Sequence, residues 1–548
     1  MSAAAQRDLR SAQAPDLGSG DCHARLRAIF DRFAGFAGPA YRHRRQEVSF
    51  RELHAAVLGL AAALARHPRM AERRPVLIWG HKDPRYMVAY WACLLAGQAL
   101  VPVEPETPPE RLRQIIASCD PALLLFAQED AAMQERIRPV LQACGCDLMP
   151  VAPPGMPRAG GALPAAGPAL APHRGTDRDV AYIMFSSGTL GAPKGIQVTY
   201  ANLLDFIDWL DPLLGRHPDA GAVSGNIRHC FDVSLFELWT SWTRGLPICT
   251  LDHGDVADST GYIERLAASG AALWVSTPSL TRMILRNRRF CARTLPGLKT
   301  FLFCGEPLTK QICAALFERF DGCRILNTYG PTECTVAVSA TEITPEMLGK
   351  AGDLPIGRAR PGTEMRLAPQ TAPGAAGEIW ISGRSVGAGY LGLPEKQAAA
   401  FPEPGLYRSG DRGLETADGQ WHFLGRIDRE VKIQGLRVDL NDIEAHLRAC
   451  PGVEDAAVEP HFLHGEARAL QAFVLGPEGE AALVALAGKL ASELPPHLVP
   501  RFWFAGFPSR LNLNSKLDRK ELVAAAQAAQ WRHLHMSEPH PAQREISQ

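Results

Sequence analysis

Phe185-Ser186-Ser187-Gly188-Thr189-Leu190-Gly191-Ala192-Pro193-Lys194-Gly195 is the stretch that most restricts what this chain can fold into. An apolar run, Val180 to Met184, precedes it and reads as a buried strand. Backbone freed by glycine turns tightly and aims several N–H groups at one anion, while hydroxyls and a lysine add donors. The segment therefore has the chemistry of a phosphate-gripping loop placed at a strand end. The Walker pattern is excluded, because no Gly-Lys-Ser/Thr follows at the required spacing and Pro193 precedes the lysine. A Gly/Ser surface turn is the plain alternative, and the loop alone does not choose.

The surrounding chain predicts an α/β fold. Helical patterns alternate with short apolar runs such as Val76 to Trp79 and Leu123 to Phe126, which implies a large domain with mixed, largely parallel sheets. Leu53 to Ala65 reads as a buried helix, Tyr90 to Gly97 as a helix stopped by glycine, and Ala99 to Val103 as a strand. Residues 150–175, rich in Pro, Ala and Gly, read as a long loop. Further strands are expected at Ala272 to Val275 and Thr300 to Phe303. After Arg426 the elements shorten into a small α+β domain, with Asn441 and Glu444 as a capping box, strands at Ala456 to Val458 and Ala469 to Leu475, and a helix over Ala481 to Leu494. The expected division is a loose start over 1–20, a core over 21–427, a small domain over 428–528 and a loose tail over 529–548.

At 548 residues the chain is too long for one hydrophobic core. Lys plus Arg and Asp plus Glu are 58 each, which argues against nucleic acid as a partner. No segment is long and apolar enough to span a bilayer and no signal peptide is evident, so a cytoplasmic protein without membrane insertion is expected. The 13 cysteines lack the spacing of a disulfide framework or a metal cluster.

Chemistry gathers at three further places. Asp232 sits at the start of a helix marked by Leu235, Leu238, Trp239 and Trp242; it is either an N-cap or an acid lining a pocket, where a buried carboxylate needs a cation. Asn327-Thr328-Tyr329-Gly330-Pro331-Thr332-Glu333 crowds an aromatic, a hydroxyl and an acid around a Gly-Pro turn. Tyr329 there suits stacking on a base, Thr332 a phosphate, and Glu333 a Mg²⁺ ion. Tyr407 to Asp411 ends in a carboxylate suited to ribose hydroxyls, though Ser-Gly-Asp is also a common turn. Lys516, in a polar turn, reads by itself as a solvated charge.

Together these segments, in this order, resemble the adenylate-forming superfamily, the acyl-activating enzymes that include peptide-synthetase adenylation domains. The resemblance runs from about Cys22 to Leu522. Within it, Thr300 to Glu306, Asn327 to Val338, Gly387 to Gly392 and His446 to Cys450 look like the free-standing D-alanine–D-alanyl carrier protein ligases. The resemblance implies ATP and Mg²⁺ as cofactors. It assigns Ser186, Ser187, Gly188, Thr189, Gly191, Lys194 and Gly195 to the β- and γ-phosphates, Asn327 and Tyr329 to adenine, and Thr332 to the α-phosphate. Glu333 would hold the metal and Asp411 the ribose, while Gly305, Glu306 and Arg426 complete the nucleotide site. Lys516 would bridge substrate carboxylate and ATP, and Asp428 would be the hinge of the small domain.

By the same resemblance Asp232 pairs with a substrate ammonium group. The side-chain pocket comprises Val233, Phe236, Ser276, Ile284, Leu302, Cys304, Thr328, Val336 and Ala337. Phe236 replaces a usual Met, and Ile284 a cysteine linked to stereochemical choice. Bulkier walls favour a small substrate, alanine-like with D-alanine preferred, glycine and serine remaining open. No serine that would carry phosphopantetheine follows Lys516, so the implied acceptor is a separate carrier protein or coenzyme A. Two rival functions stand beside this one. A coenzyme A ligase for acids without an amino group would leave Asp232 unpaired. A nucleotide-binding protein of reduced activity would explain Leu190, Gln434 and His497, which depart from the family pattern.

Overall fold

The apolar runs of the first half become strands of one sheet. Val76–Trp79 and Leu123–Phe126 are buried at every position, as strands covered on both faces must be. Each such side chain contributes about 1.5–3 kcal/mol when fully buried, so these runs have no stable exposed alternative. The computed structural model describes residues 22–535 apart from 44–45, 106, 108, 156–175, 187–193, 217–220, 252–257, 372–373, 428–429, 434–435, 464–465, 478, 495–498, 506–518 and 528–532. Most of the expected 150–175 loop, the loose start, Asp428 and Lys516 therefore lie outside the described residues.

The first sheet has seven strands: Gly389–Tyr390, Lys194–Thr199, Val180–Ser186, Leu100–Val103, Val76–Trp79, Leu123–Phe126 and Asp147–Pro150. The last five are parallel, and the first two pair antiparallel. A second sheet has nine strands. Its centre is the parallel series Arg324–Tyr329, Thr300–Phe303, Ala271–Ser276, Ala222–Gly225, Ile248–Thr250 and Pro39–His43. Antiparallel strands close both of its ends. The helices Phe50–Ala65, Pro84–Leu95, Tyr200–Leu214 and Ser234–Arg244 share one continuous core with these sheets.

One helix begins earlier than its sequence pattern predicts. It spans Pro84–Leu95, with Asp83 as N-cap accepting from the Arg85 amide and Pro84 at the first turn. Tyr86 to Leu94 are all buried, so no polar face marks the helix start by periodicity. Among the described residues no helix is long and apolar enough to cross a membrane.

The chain divides into two compact units. One holds the described residues up to Arg366, Trp380–Ser409 and Asp418–Gln420; the other holds Leu367–Ile379, Gly410–Ala417 and the described residues from Trp421 onward. The boundary drawn at 427/428 from sequence thus leaves out segments that the second unit includes. Strand pairing is the reason: Asp411 lies opposite Arg426, Gly413 opposite Phe423 and Leu414 opposite His422.

In the second unit Asp455–Leu463, Glu466–Leu475, Phe502–Ala505 and His533–His535 form a sheet, with the helices Leu440–Arg448 and Glu480–Glu493 sharing its core. Two expectations change here. His533–His535, inside the tail expected to be loose, pairs antiparallel with Phe502–Phe504. The Asn441/Glu444 capping box is not the role of Glu444. The helix already starts at Leu440, and the buried Glu444 carboxylate accepts from the Val458 amide at 2.9 Å. Arg448 at 2.8 Å and Arg519 at 2.6 Å are further partners. Removing one partner of a buried ion cluster costs about 3–5 kcal/mol, because the others are left uncompensated. Glu444→Ala is expected to destabilise the second unit by that order in urea unfolding, and a change below about 1 kcal/mol would refute the assignment.

Candidate functional site

Ser186, Lys194 and Glu333, all expected at the nucleotide site, belong to the first unit and come together. Val180–Ser186 and Lys194–Thr199 pair antiparallel with Ser186 opposite Lys194, so the two ends of the expected phosphate loop meet. Residues 187–193, which include Ser187, Gly188, Thr189, Leu190 and Gly191, lie outside the described residues. Lys194 Nζ reaches Glu333 Oε1 at 2.7 Å, joining residues far apart in the chain. Tyr390 OH donates to the same oxygen at 2.9 Å and lies 3.3 Å from Lys194 Nζ. The lysine also sits over the Tyr390 ring, 4.5 Å from its centroid. Burial first, then the charge of Glu333, pushes the phenols of Tyr390 and Tyr407 far above their ordinary value, so both stay protonated.

Glu333 and Thr332 lie on a single 3₁₀ turn, Thr332–Cys334, followed by two residues at positive φ. Thr335 has φ 58° and Val336 φ 70°. The Ala337 amide bonds back to the Thr335 carbonyl at 2.9 Å, making a γ-turn with Val336 at its centre. A β-branched residue there is a strained exception, costing on the order of 1–3 kcal/mol, and such strain concentrates at functional sites. The surroundings enforce it. Thr335 Oγ1 donates to the Ser385 carbonyl at 2.8 Å, and the Val338 amide to the Tyr329 carbonyl at 2.7 Å. Gly330 is required opposite: a Cβ there would lie 2.4 Å from Ala337 Cα.

The expected substrate residues line up at one edge of the second sheet. Ser276, Phe303 and Asn327 are in register on adjacent parallel strands. Cys304 and Thr328 therefore follow at the same level, and Ala222–Gly225, the next parallel strand, leads into the Asp232 loop. The carboxyl ends of parallel strands are where open α/β sheets form their binding crevices. Val233, Phe236, Leu302, Cys304, Val336 and Ala337 share one hydrophobic cluster, and Ser276, Ile284 and Thr328 are also buried. The Cys304 thiol approaches the Val336 carbonyl at 3.9 Å. Thr328 Oγ1 donates to the Phe303 carbonyl at 2.7 Å, and Asn327 Nδ2 to that of Pro355 at 2.8 Å. Gly305 takes φ 92°, and the Glu306 carboxylate accepts from the Ser279 amide at 3.0 Å, at the first turn of the Pro278–Leu285 helix that carries Ile284.

Val233 is the N-cap of Ser234–Arg244, and Asp232, one residue earlier, is 3% exposed. The loop that leads to Asp232 is held by buried groups that a one-dimensional reading does not single out. Glu237 accepts from the Asn226 amide at 2.7 Å and the Ile227 amide at 3.1 Å. Lys82, 4.0 Å from Glu237, donates to the Ile227 carbonyl. Farther along the loop, Glu104 pairs with Arg228 at 3.0 Å and accepts from the Cys230 amide at 3.4 Å. The segment from Asn226 to Cys230 is thereby held along its length. Tyr182, on the strand that leads to the phosphate loop, is fully buried; burial and then the Asp232 charge push its phenol well above the ordinary value.

Burial pushes the Glu237 carboxyl up to about 8, with Lys82 opposing. Folding thus takes up a proton at this site between pH 4.5 and about 8. Stability from this group is full below the lower value and declines as pH rises through the higher one. Glu237→Gln is expected to flatten that slope, worth up to about 1.4 kcal/mol per pH unit. Unfolding free energies measured across the interval check it, and an unaltered slope would count against the assignment.

Asp411 and Arg426 belong to the second unit, where they form an ion pair at 2.8 Å on paired strands. Asp411 is 5% exposed.

A family described as AMP-binding enzyme matches residues 31–391. The D-alanine–D-alanyl carrier protein ligase of Bacillus licheniformis is 31% identical over 500 residues, covering 88% of this chain and 95% of the relative. That of Staphylococcus epidermidis is 32% identical over 493 residues, with coverage of 88% and 95%. The crystal structure of IdnL7 superposes with a TM-score of 0.72 at 26% identity, covering 92% of this chain and 99% of that one. The matched family span includes the loop lysine, its carboxylate partner and the strand-end crevice. A match of that extent, joined by relatives above 30% identity along nearly their whole length, decides the question: the chain belongs to the AMP-binding enzyme family.

Proposed function

We propose that this enzyme activates a small amino acid, alanine-like with D-alanine favoured, and passes it to the phosphopantetheine thiol of a separate carrier protein. In the first half-reaction a carboxylate oxygen of the amino acid attacks the α-phosphorus of ATP, and the bond to pyrophosphate breaks. In the second, the thiol sulfur attacks the carbonyl carbon of the aminoacyl-adenylate, and AMP leaves. The observation that carries this reading is Asp232, a buried carboxylate held at the crevice edge. A buried acid gains from an ammonium partner and loses beside an apolar chain. The names of the relatives, D-alanine–D-alanyl carrier protein ligases, support the same substrate and acceptor.

The division of labour follows charge. Lys194 and the loop amides bind the β- and γ-phosphates, Thr332 the α-phosphate, Asn327 and Tyr329 the adenine, and Asp411 the ribose. Among the described residues both side-chain donors to Glu333 use Oε1, which leaves Oε2 as a hard oxygen ligand. Among the described residues no group of three His, Cys, Asp or Glu side chains could hold a metal. One carboxylate plus phosphate oxygens is a donor set that suits Mg²⁺, whose charge would neutralise the triphosphate. Val233, Phe236, Ser276, Ile284, Leu302, Cys304, Thr328, Val336 and Ala337 wall a pocket for a methyl-sized side chain. Lys516 bridges the reacting carboxylate and ATP, and Asp428 is the hinge of the smaller domain. A cytoplasmic setting, where ATP is abundant, fits this chemistry.

The test is amino-acid-dependent exchange of pyrophosphate into ATP over small D- and L-amino acids. Exchange with D-alanine well above leucine or phenylalanine is expected; exchange only with acids lacking an amino group, or with nothing, would overturn the proposal. Leu190 stands where the family that the chain resembles usually has Thr or Ser. Leu190→Thr should lower the KM for ATP about 2- to 10-fold, the worth of one added hydrogen bond. An unchanged or higher KM would remove that role for position 190.

A further inference from the structure

We propose that Phe206 and Trp209, on a helix outside the assigned pocket, restrict the substrate to small side chains by holding Phe236 in place. This rests on the reading above that Phe236 walls the pocket. Phe236 belongs to the Ser234–Arg244 helix, which fixes its backbone, so only movement of its ring can enlarge the space beside it. That movement is blocked from behind. The Phe206 ring packs edge-on against Phe236, with centroids 5.2 Å apart at 69°. Trp209 lies 6.5 Å from Phe236 and 6.4 Å from Phe206. Phe206 and Phe236 are both fully buried.

The backing pair is itself fastened. Asp205, Phe206 and Trp209 fall within one turn of the Tyr200–Leu214 helix. The Arg360 guanidinium stacks over Trp209 at 5.4 Å and pairs with Asp205 at 3.1 Å, with its side chain wholly buried. Turning Trp209 aside would disturb a buried ion pair. Beyond Trp209 lies a cavity of about 850 Å³, also lined by Leu213, Arg324 and Arg358. Trp209 lines that volume and, with Phe206, packs against Phe236. Without this pair the Phe236 ring has somewhere to go, and the pocket gains the space that the ring vacates.

Phe206→Ala and Trp209→Ala, assayed by pyrophosphate exchange with glycine, alanine, valine and leucine, test this. We expect the leucine-to-alanine ratio of kcat/KM to rise at least 10-fold in Phe206→Ala, with the KM for ATP within 2-fold of wild type. Phe236→Ala should shift the ratio in the same direction, and Phe206→Leu, which restores bulk, should return it towards wild type. Because the ratio is measured within one variant, loss of folded protein does not mimic the effect. If Phe236→Ala shifts the ratio while Phe206→Ala and Trp209→Ala leave it unchanged, the inference is overturned and the proposed function stands. Should Phe236→Ala also leave it unchanged, or the wild type exchange with no amino acid, the pocket assignment falls and this inference with it.

Discussion

Lys516→Ala is expected to lower amino-acid-dependent pyrophosphate exchange by at least 10²-fold, about 2.7 kcal/mol of transition-state stabilisation. A carboxylate attacking the α-phosphorus brings one anion onto another, and negative charge accumulates between them as the bond to pyrophosphate lengthens. A cation aimed there is worth more in the transition state than in the ground state, so its loss falls on kcat rather than on substrate binding. Lys194 does not take this role, since it is assigned to the β- and γ-phosphates and not to the reacting carboxylate. Transfer to thiol from preformed alanyl-adenylate should be nearly untouched, because attack on the acyl carbonyl expels AMP and involves no triphosphate. Retained exchange in Lys516→Ala would remove the lysine from the mechanism. Equal loss of both half-reactions would point to a general defect instead.

The second large effect is selective. Asp232→Ala should depress exchange with alanine by about 10²–10³-fold, matching the 3–5 kcal/mol lost when one member of a buried ion pair is removed. Propionate, which lacks the ammonium group, should be a poor substrate of the wild type and change little, or improve, in the variant. Burial makes the discrimination large: at 3% exposure Asp232 has little water to screen an absent partner. Equal impairment of alanine and propionate would sink the ammonium assignment and favour a structural role for Asp232 in its loop.

Where a segment's own composition decides its structure, the sequence was a sufficient guide. Val76–Trp79, Leu123–Phe126 and Thr300–Phe303 occupy the spans that their apolar runs predict, because four consecutive buried residues have no other stable use. The strand into the phosphate loop was legible for the same reason. Lys194 and Glu333 were legible as candidates by chemistry, and the order of motifs tied them to one family.

Local pattern misled where a distant partner offered more. Asn441 and Glu444 have the spacing of a capping box, yet Glu444 turns to Val458, Arg448 and Arg519, since a buried carboxylate with several donors outweighs one exposed cap. The Pro84–Leu95 helix hid its start because it is buried all round, although Asp83-Pro84 offered a cap signal.

By itself, then, the sequence determined the fold class, from local apolar runs, and the family, from the order of short motifs along the chain. Only the tertiary structure decided what lies around Asp232. Lys82, Glu104, Arg228 and Glu237 are unremarkable in a one-dimensional reading, and they become a buried clamp because two sheets bring them together. The strain at Val336 and the aromatic backing of Phe236 are of the same kind. No local propensity favours them, and they exist only because packing elsewhere enforces them.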